Sequence, residues 1–186
     1  MRLATVLYED RMQAGGGGVF PPHDFVLAMV SDLTGHTVWA LRRQIEPNPR
    51  NGVAKLIGDL GRTSLLAGDG LLCVLVDRDR VAEHLRLPKL AAEADVIRAM
   101  KARSDAPDKL TVHFLDPNIE GLMRSIAGCA PGVTAPSMKD HNSRDLFLKH
   151  AAFKLSAAAR DCVKGKQASL GALVERLAGL CGRGEG

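Results

Sequence analysis

The stretch Leu71-Leu72-Cys73-Val74-Leu75-Val76, followed at once by Asp77-Arg78-Asp79, decides how the rest of the chain is interpreted. This run of consecutive apolar residues after a glycine-containing turn predicts a strand buried on both faces of a sheet. Strand side chains repeat every second residue, so Asp77 and Asp79 would point the same way if the extended geometry continued through them. Paired carboxylates at a strand's carboxyl end predict a divalent-cation site, and the alternative is a solvated charged turn.

The composition is that of an ordinary globular protein. The chain has 186 residues, of which 46% are hydrophobic, 25% charged and 4% aromatic. This length predicts a single domain over residues 1–186 with a core of mostly Leu, Val and Ala. No apolar run approaches the ~20 residues needed to cross a bilayer. The N-terminus enters a strand-like segment directly, so we expect a cytoplasmic protein with no membrane partner.

The cysteines are widely spaced and include no Cys-x-x-Cys pair. They are Cys73, Cys129, Cys162 and Cys181. Disulfides are the alternative for a secreted chain, but nothing marks secretion, so buried or incidental thiols are the prediction. No histidine shows zinc-ligand spacing with them, so a zinc site is not expected.

Strand-like and helix-like segments alternate along the chain before two or three closing helices. The predicted strands are residues 3–8, 36–45, 71–76 and 110–115. Residues 46–49, which contain two prolines, are interpreted as the break after the second strand. The alternation predicts an α/β fold: a mostly parallel four-stranded sheet with helices on both faces, plus C-terminal helices.

Acidic residues follow three of the predicted strands, at Glu9, Asp77 and Asp116. Parallel strands would bring them to one edge of the sheet, and Glu120 follows one helical turn beyond Asp116. Carboxylates forced together raise one another's pKa, so such a cluster needs a cation or a basic partner. Bound Mg²⁺ would remove the repulsion and stabilise a phosphoryl transition state. The alternative is that the chain exits are simply polar.

The positive charge is concentrated in residues 139–166, named here the basic segment. It holds seven Lys and Arg against three Asp, an excess equal to the formal net charge of +4 of the whole chain. Such a segment can bind a phosphate backbone, and the alternative is a solvated helix face. The candidate phosphate contacts are Arg144, Lys149 and Lys154.

A run of glycines and the single tryptophan are both interpreted as structural features. The glycine run at residues 15–18 is interpreted as a flexible loop rather than a phosphate cradle or a lid. Trp39, the only tryptophan, is interpreted as a packing residue rather than a surface for base stacking.

A strand ending in Glu9 and a later hydrophobic strand ending in Asp77-x-Asp79 together resemble the Toprim domain. That domain is the catalytic fold shared by topoisomerases, bacterial primases and the overcoming-lysogenization-defect nucleases. The continuation Val112-His113-Phe114-Leu115…Ile119-Glu120-Gly121-Leu122-Met123 also resembles small bacterial Toprim-like proteins, in which an acidic residue follows the fourth strand and begins a helix. The resemblance covers residues 1–127 and leaves residues 128–186 as a helical C-terminal extension.

The resemblance implies Mg²⁺-dependent hydrolysis of nucleic acid phosphodiester bonds, with Mn²⁺ as the alternative ion. Asp77 and Asp79 would hold the metal, and Glu9 would face them in acid–base chemistry or metal binding. Glu120 would be an outer or second-metal ligand. Because the similar proteins often work beside an ATPase, a partner ATPase is implied in addition to nucleic acid.

Two departures from the family pattern favour another interpretation. Asp10 stands where the family has Gly after its Glu, and Gln13 stands where two-metal nucleases carry a second acid. The alternative is a catalytically degenerate accessory protein that binds nucleic acid or a protein partner. A phosphoacceptor receiver domain ranks last, because the chain lacks a convincing Lys on a fifth strand. Nothing in the sequence indicates the oligomeric state.

Overall fold

The computed structural model describes residues 1–9, 20–88, 90–136 and 141–182, without the side chains of Asp79 and His141. In these residues the strands form one sheet: β1 (Ala4–Tyr8), β2 (Ile45–Pro49), β3 (Leu71–Asp77) and β4 (Leu110–Leu115). The strand order is β2-β1-β3-β4, and every neighbouring pair is parallel. The predicted α/β fold with a parallel four-stranded sheet and C-terminal helices is confirmed.

Ten α-helices lie within the described residues. They are α1 (Pro21–Thr34), α2 (Val38–Leu41), α3 (Val53–Asp59), α4 (Thr63–Ala67), α5 (Arg78–His84), α6 (Glu93–Lys101), α7 (Ile119–Cys129), α8 (His141–Lys154), α9 (Ala157–Lys166) and α10 (Ala168–Cys181). Short 3-10 turns at Leu60–Arg62 and Pro107–Lys109 lead into α4 and β4.

The chain is organised in two compact units. The sheet unit comprises Met1–Gln13 and Gln44–Asn118, and therefore holds the four strands with α3 to α6. The helical unit comprises Ala14–Arg43 and Ile119–Gly186, and holds α1, α2 and α7 to α10. The helical unit thus includes α1 and α2 from the N-terminal part in addition to the C-terminal helices.

The sheet is buried on both faces, as the unbroken apolar run of β3 predicts. On one face Leu7, Val74 and Phe114 belong to a continuous core. Residues of α3, α5 and α6 complete that core: Leu56, Val81, Val96 and Met100, among others. Val6 and Cys73, which alternate with these strand residues, are also fully buried. The sequence therefore packs apolar side chains on both sides of its central strands.

The second strand lies later in the chain than predicted. Residues 38–41 form α2, because the Thr37 side chain caps this helix by accepting a hydrogen bond from the N–H of Ala40. The proline-containing residues interpreted as a break are themselves β2 (Ile45–Pro49). Prolines are tolerated there because β2, in the sheet that the described residues form, is an edge strand with β1 as its one neighbour.

The helical unit holds two separate helices in the basic segment and one unexpected disulfide. Helix α8 ends at Lys154, and Ser156 caps α9 by accepting a hydrogen bond from the N–H of Ala159. The prediction of free thiols is wrong for Cys129 and Cys162, which form a disulfide. The spacing of the cysteines does not predict this pair, because Cys129 in α7 and Cys162 in α9 are 33 residues apart in the chain and meet only in the tertiary structure.

In the described residues, no helix has both the length and the apolar character that crossing a membrane requires.

Candidate functional site

The carboxyl ends of β1 and β3 bring Glu9 and Asp77 together in the sheet unit. The two strands pair in parallel with Tyr8 opposite Leu75. Glu9 directly follows β1, and Asp77 is the last residue of β3, so both lie at the carboxyl ends of their strands. The backbone N–H of Asp77 donates to Oε2 of Glu9 over 3.3 Å. The Glu9 side chain is only 12% exposed. The sheet register therefore holds the carboxylate of Glu9 beside the end of β3.

Asp79 does not continue the strand. The extended geometry ends at Asp77, which is the N-cap residue of α5, and Asp79 lies in the first turn of that helix. A helix advances by about 100° per residue, so the two-residue repeat that would align Asp77 with Asp79 is lost. The side chain of Asp79 lies outside the described residues.

Arginines of α5 supply positive charge at this edge. Nη1 of Arg80 lies 3.7 Å from Oε1 of Glu9. Nη1 of Arg78 lies 3.4 Å from Oε1 of Glu93 and 3.6 Å from Oδ1 of Asp116. These arginine side chains are substantially exposed, so each ion pair contributes little to stability and can be exchanged for another partner. Glu9, Glu93 and Asp116 therefore each have a basic partner. A basic partner, like a bound cation, offsets the repulsion between neighbouring carboxylates.

The donor set of the edge suits an open metal site. No three His, Cys, Asp or Glu residues within the described residues are arranged to enclose a metal ion. Mg²⁺ in enzymes, however, usually takes one or two protein carboxylates and completes its shell with water and substrate phosphate. Glu9 and Asp77 provide carboxylate oxygens of the kind that Mg²⁺ and Mn²⁺ prefer. In donor type alone these residues match an ion of this class at an open site, and metal binding stays a prediction.

Glu120 belongs to the helical unit, whereas Glu9 and Asp77 belong to the sheet unit. It is half-buried in the first turn of α7. Its role as an outer or second-metal ligand stays a prediction.

A pocket of about 250 Å³ opens in the sheet unit next to this edge. Its walls are mostly apolar and its charged groups come from the ends of β3 and β4 and the start of α6. The lining residues are Arg78, Ala82, Leu90, Ala91, Glu93, Val96, Phe114, Asp116 and Pro117. This pocket was not predicted, because its walls combine residues of α5, α6 and β4 that are distant in the chain. The sequence signal that could have indicated the pocket is the charge of Arg78 and Asp116, which directly follow the buried strands β3 and β4.

The basic segment is partly neutralised by its own ion pairs. The Arg144 side chain is 6% exposed and lies 3.1 Å from Asp145, so burial argues against the predicted phosphate contact. Arg160 pairs with Asp32 at 2.6 Å, and Lys164 pairs with Asp161 at 2.9 Å.

Two of the candidate phosphate contacts remain at the surface. Lys149 and Lys154 are exposed on α8, with no ion pair to a carboxylate in the part of the chain that the structure describes. Lys139, the first residue of the basic segment, lies outside the described residues, as does the glycine run at 15–18. Lys149 and Lys154 are therefore the remaining candidates for phosphate contact.

Trp39 is an exposed residue, and its interpretation as a packing residue is wrong. It is 65% exposed on the short helix α2. The guanidinium of Arg42 lies 5.5 Å from the centroid of its ring, within the range of a cation–π contact. Arg42 also donates two hydrogen bonds, of 3.0 and 2.6 Å, to Oδ1 of Asp24. The helical unit thus presents an aromatic ring with a fixed cation beside it.

The Asp24 carboxylate is buried beneath this cation. Burial raises the pKa of Asp24, and the hydrogen bond and charge of Arg42, followed by the charge of Lys149, oppose that shift. The positive charges of Arg42 and Lys149 therefore both favour the ionised Asp24. Trp39, Arg42 and Lys149 are named here the Trp39 surface.

No protein-family model, curated protein or solved structure matches this chain. The resemblance to the Toprim domain therefore rests on the short motifs around Glu9 and Asp77 and on the parallel sheet that carries them.

Proposed function

We propose that this chain is a Toprim-like phosphodiesterase that hydrolyses nucleic acid with Mg²⁺, or with Mn²⁺ as the alternative ion. The observation that carries the proposal is the approach of Glu9 to Asp77 at the carboxyl ends of neighbouring parallel strands. Ligands of open parallel sheets bind at this edge. The sequence alternates strand and helix so that acids far apart in the chain meet there.

The chemistry follows from the positions of the carboxylates. Asp77, and Asp79 from the first turn of α5, would hold the metal. A bound Mg²⁺ would neutralise charge on the scissile phosphate and lower the pKa of a water molecule. Glu9 would accept the proton of the attacking water, because its Oε2 is held by the N–H of Asp77 while Oε1 faces the exposed Arg80.

The helical unit supports nucleic acid as the substrate class. Exposed Lys149 and Lys154 can contact phosphates. Trp39 offers a flat ring for an unpaired base, and base–aromatic stacking is worth about 1–3 kcal/mol per base in single-strand binding proteins. The proposal therefore assigns backbone binding to the helical unit and hydrolysis to the sheet unit.

A second candidate function is that of a catalytically degenerate accessory protein, which would bind nucleic acid or a protein partner such as an ATPase. It is favoured by the arginines of α5, since Arg80 beside Glu9 and Arg78 beside Asp116 supply the positive charge that a metal would otherwise bring. This function keeps the fold and the Trp39 surface and omits hydrolysis.

Magnesium titration by calorimetry, combined with cleavage assays on DNA and RNA, tests the proposal. The wild type should bind Mg²⁺ and cleave, while Asp77→Ala with Asp79→Ala should lower cleavage by at least about a hundredfold. A matched control is Asp69→Ala with Asp108→Ala, exposed acids that precede β3 and β4 at the opposite ends of these strands, which should cleave like the wild type. Full activity of the site variant would exclude the mechanism. A wild type that binds nucleic acid without cleaving it would establish the accessory function.

A further inference from the structure

The pocket beside the acidic edge has a volume and a lining that suit one ring system. Its volume of about 250 Å³ lies just below the roughly 300 Å³ at which pockets for drug-sized ligands begin. Apart from its charged residues, its walls are apolar: Ala82, Leu90, Ala91, Val96, Phe114 and Pro117. An apolar lining of this kind suits an aromatic heterocycle.

Arg78 and Glu93 can both contact a ligand in the pocket. Arg78 stands between Glu93 and Asp116 at 3.4 and 3.6 Å, distances longer than well-formed charged hydrogen bonds. All three side chains are about half exposed. A ligand at the mouth of the pocket can therefore meet one guanidinium donor and one carboxylate acceptor without breaking a buried ion pair.

We propose that this pocket binds a guanine base, a proposal that rests on the proposed function in taking nucleic acid as the source of that base. Guanine presents the N7 and O6 acceptors that arginine contacts in a bidentate manner, here from Arg78. Its N1–H and N2–H₂ groups are adjacent donors, which the carboxylate of Glu93 accepts. Asp116 keeps Arg78 oriented.

The other bases match this pair of charges less well. Adenine places the N1 acceptor where Glu93 requires a donor, so a carboxylate faces a lone pair. Cytosine offers a donor to a carboxylate but has a single ring, which fills less of the apolar volume. The arrangement thus discriminates by both charge and size.

The position of the pocket connects it to the acidic edge. Arg78 directly follows Asp77 in the chain, and its backbone N–H donates to the carbonyl of Pro117 at 2.9 Å. A base held by Arg78 would place its own nucleotide next to the carboxylates of Glu9 and Asp77. The expected source is an unstacked guanine in a strand, and a free guanine nucleotide offers the same chemistry.

Calorimetric binding of GMP, AMP, CMP and UMP to the full chain, in EDTA, tests the proposal without any need for cleavage. GMP should bind saturably and at least about tenfold more tightly than AMP. A single-stranded oligonucleotide with one guanine, compared with its adenine counterpart, separates the sources: a guanine preference confined to the oligonucleotide identifies the strand base, and one shared with GMP includes the free nucleotide.

Two variants locate the site. Glu93→Gln should weaken GMP binding about tenfold or more, whereas Asp95→Asn on the same helix should leave it unchanged. Ala91→Phe, which fills the apolar volume, should abolish binding while the thermal unfolding midpoint stays near that of the wild type.

The proposal would be overturned by any of three results. These are equal affinity for the four nucleotides, no saturable guanine binding, or unchanged binding by the Glu93→Gln and Ala91→Phe variants. Asp77→Ala separates the two functions, because it should remove cleavage and preserve guanine binding. Guanine binding by a chain that never cleaves would refute the phosphodiesterase alone.

Discussion

The N–H of Asp77 donates a hydrogen bond to the Oε2 atom of Glu9, 68 residues earlier in the chain. The contact joins the ends of two neighbouring parallel strands, so its geometry is set by the register of β1 against β3. It fixes one oxygen of a carboxylate that is largely shielded from water and leaves the other toward Arg80. The sheet itself therefore orients the residue to which the proposed chemistry assigns the proton.

Arg80→Gln should bind Mg²⁺ more tightly than the wild type, by about two- to fivefold. The substitution removes a positive charge 3.7 Å from Glu9, and exposed ion pairs are worth about 0.2–1 kcal/mol. Calorimetric titration with Mg²⁺ measures the change. Arg98→Gln, an exposed arginine paired with Asp95 on α6, serves as the control. Equal or weaker binding by the Arg80 variant would argue against a metal next to Glu9, at the end of β3.

Lys149→Gln with Lys154→Gln should weaken nucleic acid binding and flatten its salt dependence. Each lost phosphate contact lowers the slope of log K against log salt by about 0.7 for single strands and 0.9 for duplex. Fluorescence anisotropy between low and moderate salt measures both effects. The exposed pair Lys55→Gln with Arg62→Gln, in the sheet unit, should leave the slope unchanged. An unaltered slope in the Lys149 and Lys154 variant would remove α8 from the interface.

Gly70→Ala should destabilise the protein by about 1–3 kcal/mol, the usual cost of overpacking. A Cβ at Gly70 would lie 2.3 Å from the backbone oxygen of Leu3, at the point where the chain enters β3 beside β1. Gly58→Ala is the matched control, because nothing lies within 4 Å of its added Cβ and alanine favours the helix α3. Urea unfolding should show the first variant to be less stable and the second to be unchanged or more stable. A neutral Gly70 variant would show that the approach of the two strands relaxes easily.

Replacing Cys129 and Cys162 by serine should lower the free energy of unfolding by about 2–4 kcal/mol. The disulfide closes a loop between residues 33 apart, and cross-linking such a loop restricts the unfolded chain. Chemical unfolding with and without reductant measures the effect. Reductant should destabilise the wild type and leave the double variant unchanged. Cys181→Ser, which removes a half-buried free thiol, should have a small effect in either condition.

The stability advantage of the wild type over Asp24→Asn should shrink as the pH rises. Burial raises the pKa of Asp24 in the folded chain above the ordinary value of 3.8, so the folded state binds more protons than the unfolded state between the two pKa values. The contribution of Asp24 is therefore fully present below the unfolded pKa and declines as the pH passes through the folded one. Urea unfolding of both proteins across this pH window measures the difference, with the exposed Asp95→Asn as control. A difference that grows with pH would contradict the raised pKa.

The sequence by itself determined the class of fold and most of the sheet. Runs of consecutive apolar residues located β1, β3 and β4. Strand–helix alternation determined that the sheet is parallel. Parallel pairing in turn places Glu9 and Asp77 at one edge, because carboxyl ends of parallel strands lie on the same side.

Only the tertiary structure decided what surrounds those residues. β2 contains two prolines, and only its place at the edge of the sheet makes them compatible with a strand. The arginines near the acids, the exposure of Trp39, the disulfide and the pocket all depend on contacts between residues distant in the chain. Local patterns report which side chains prefer burial, whereas the partner that each one meets is settled by the packing of whole elements against one another.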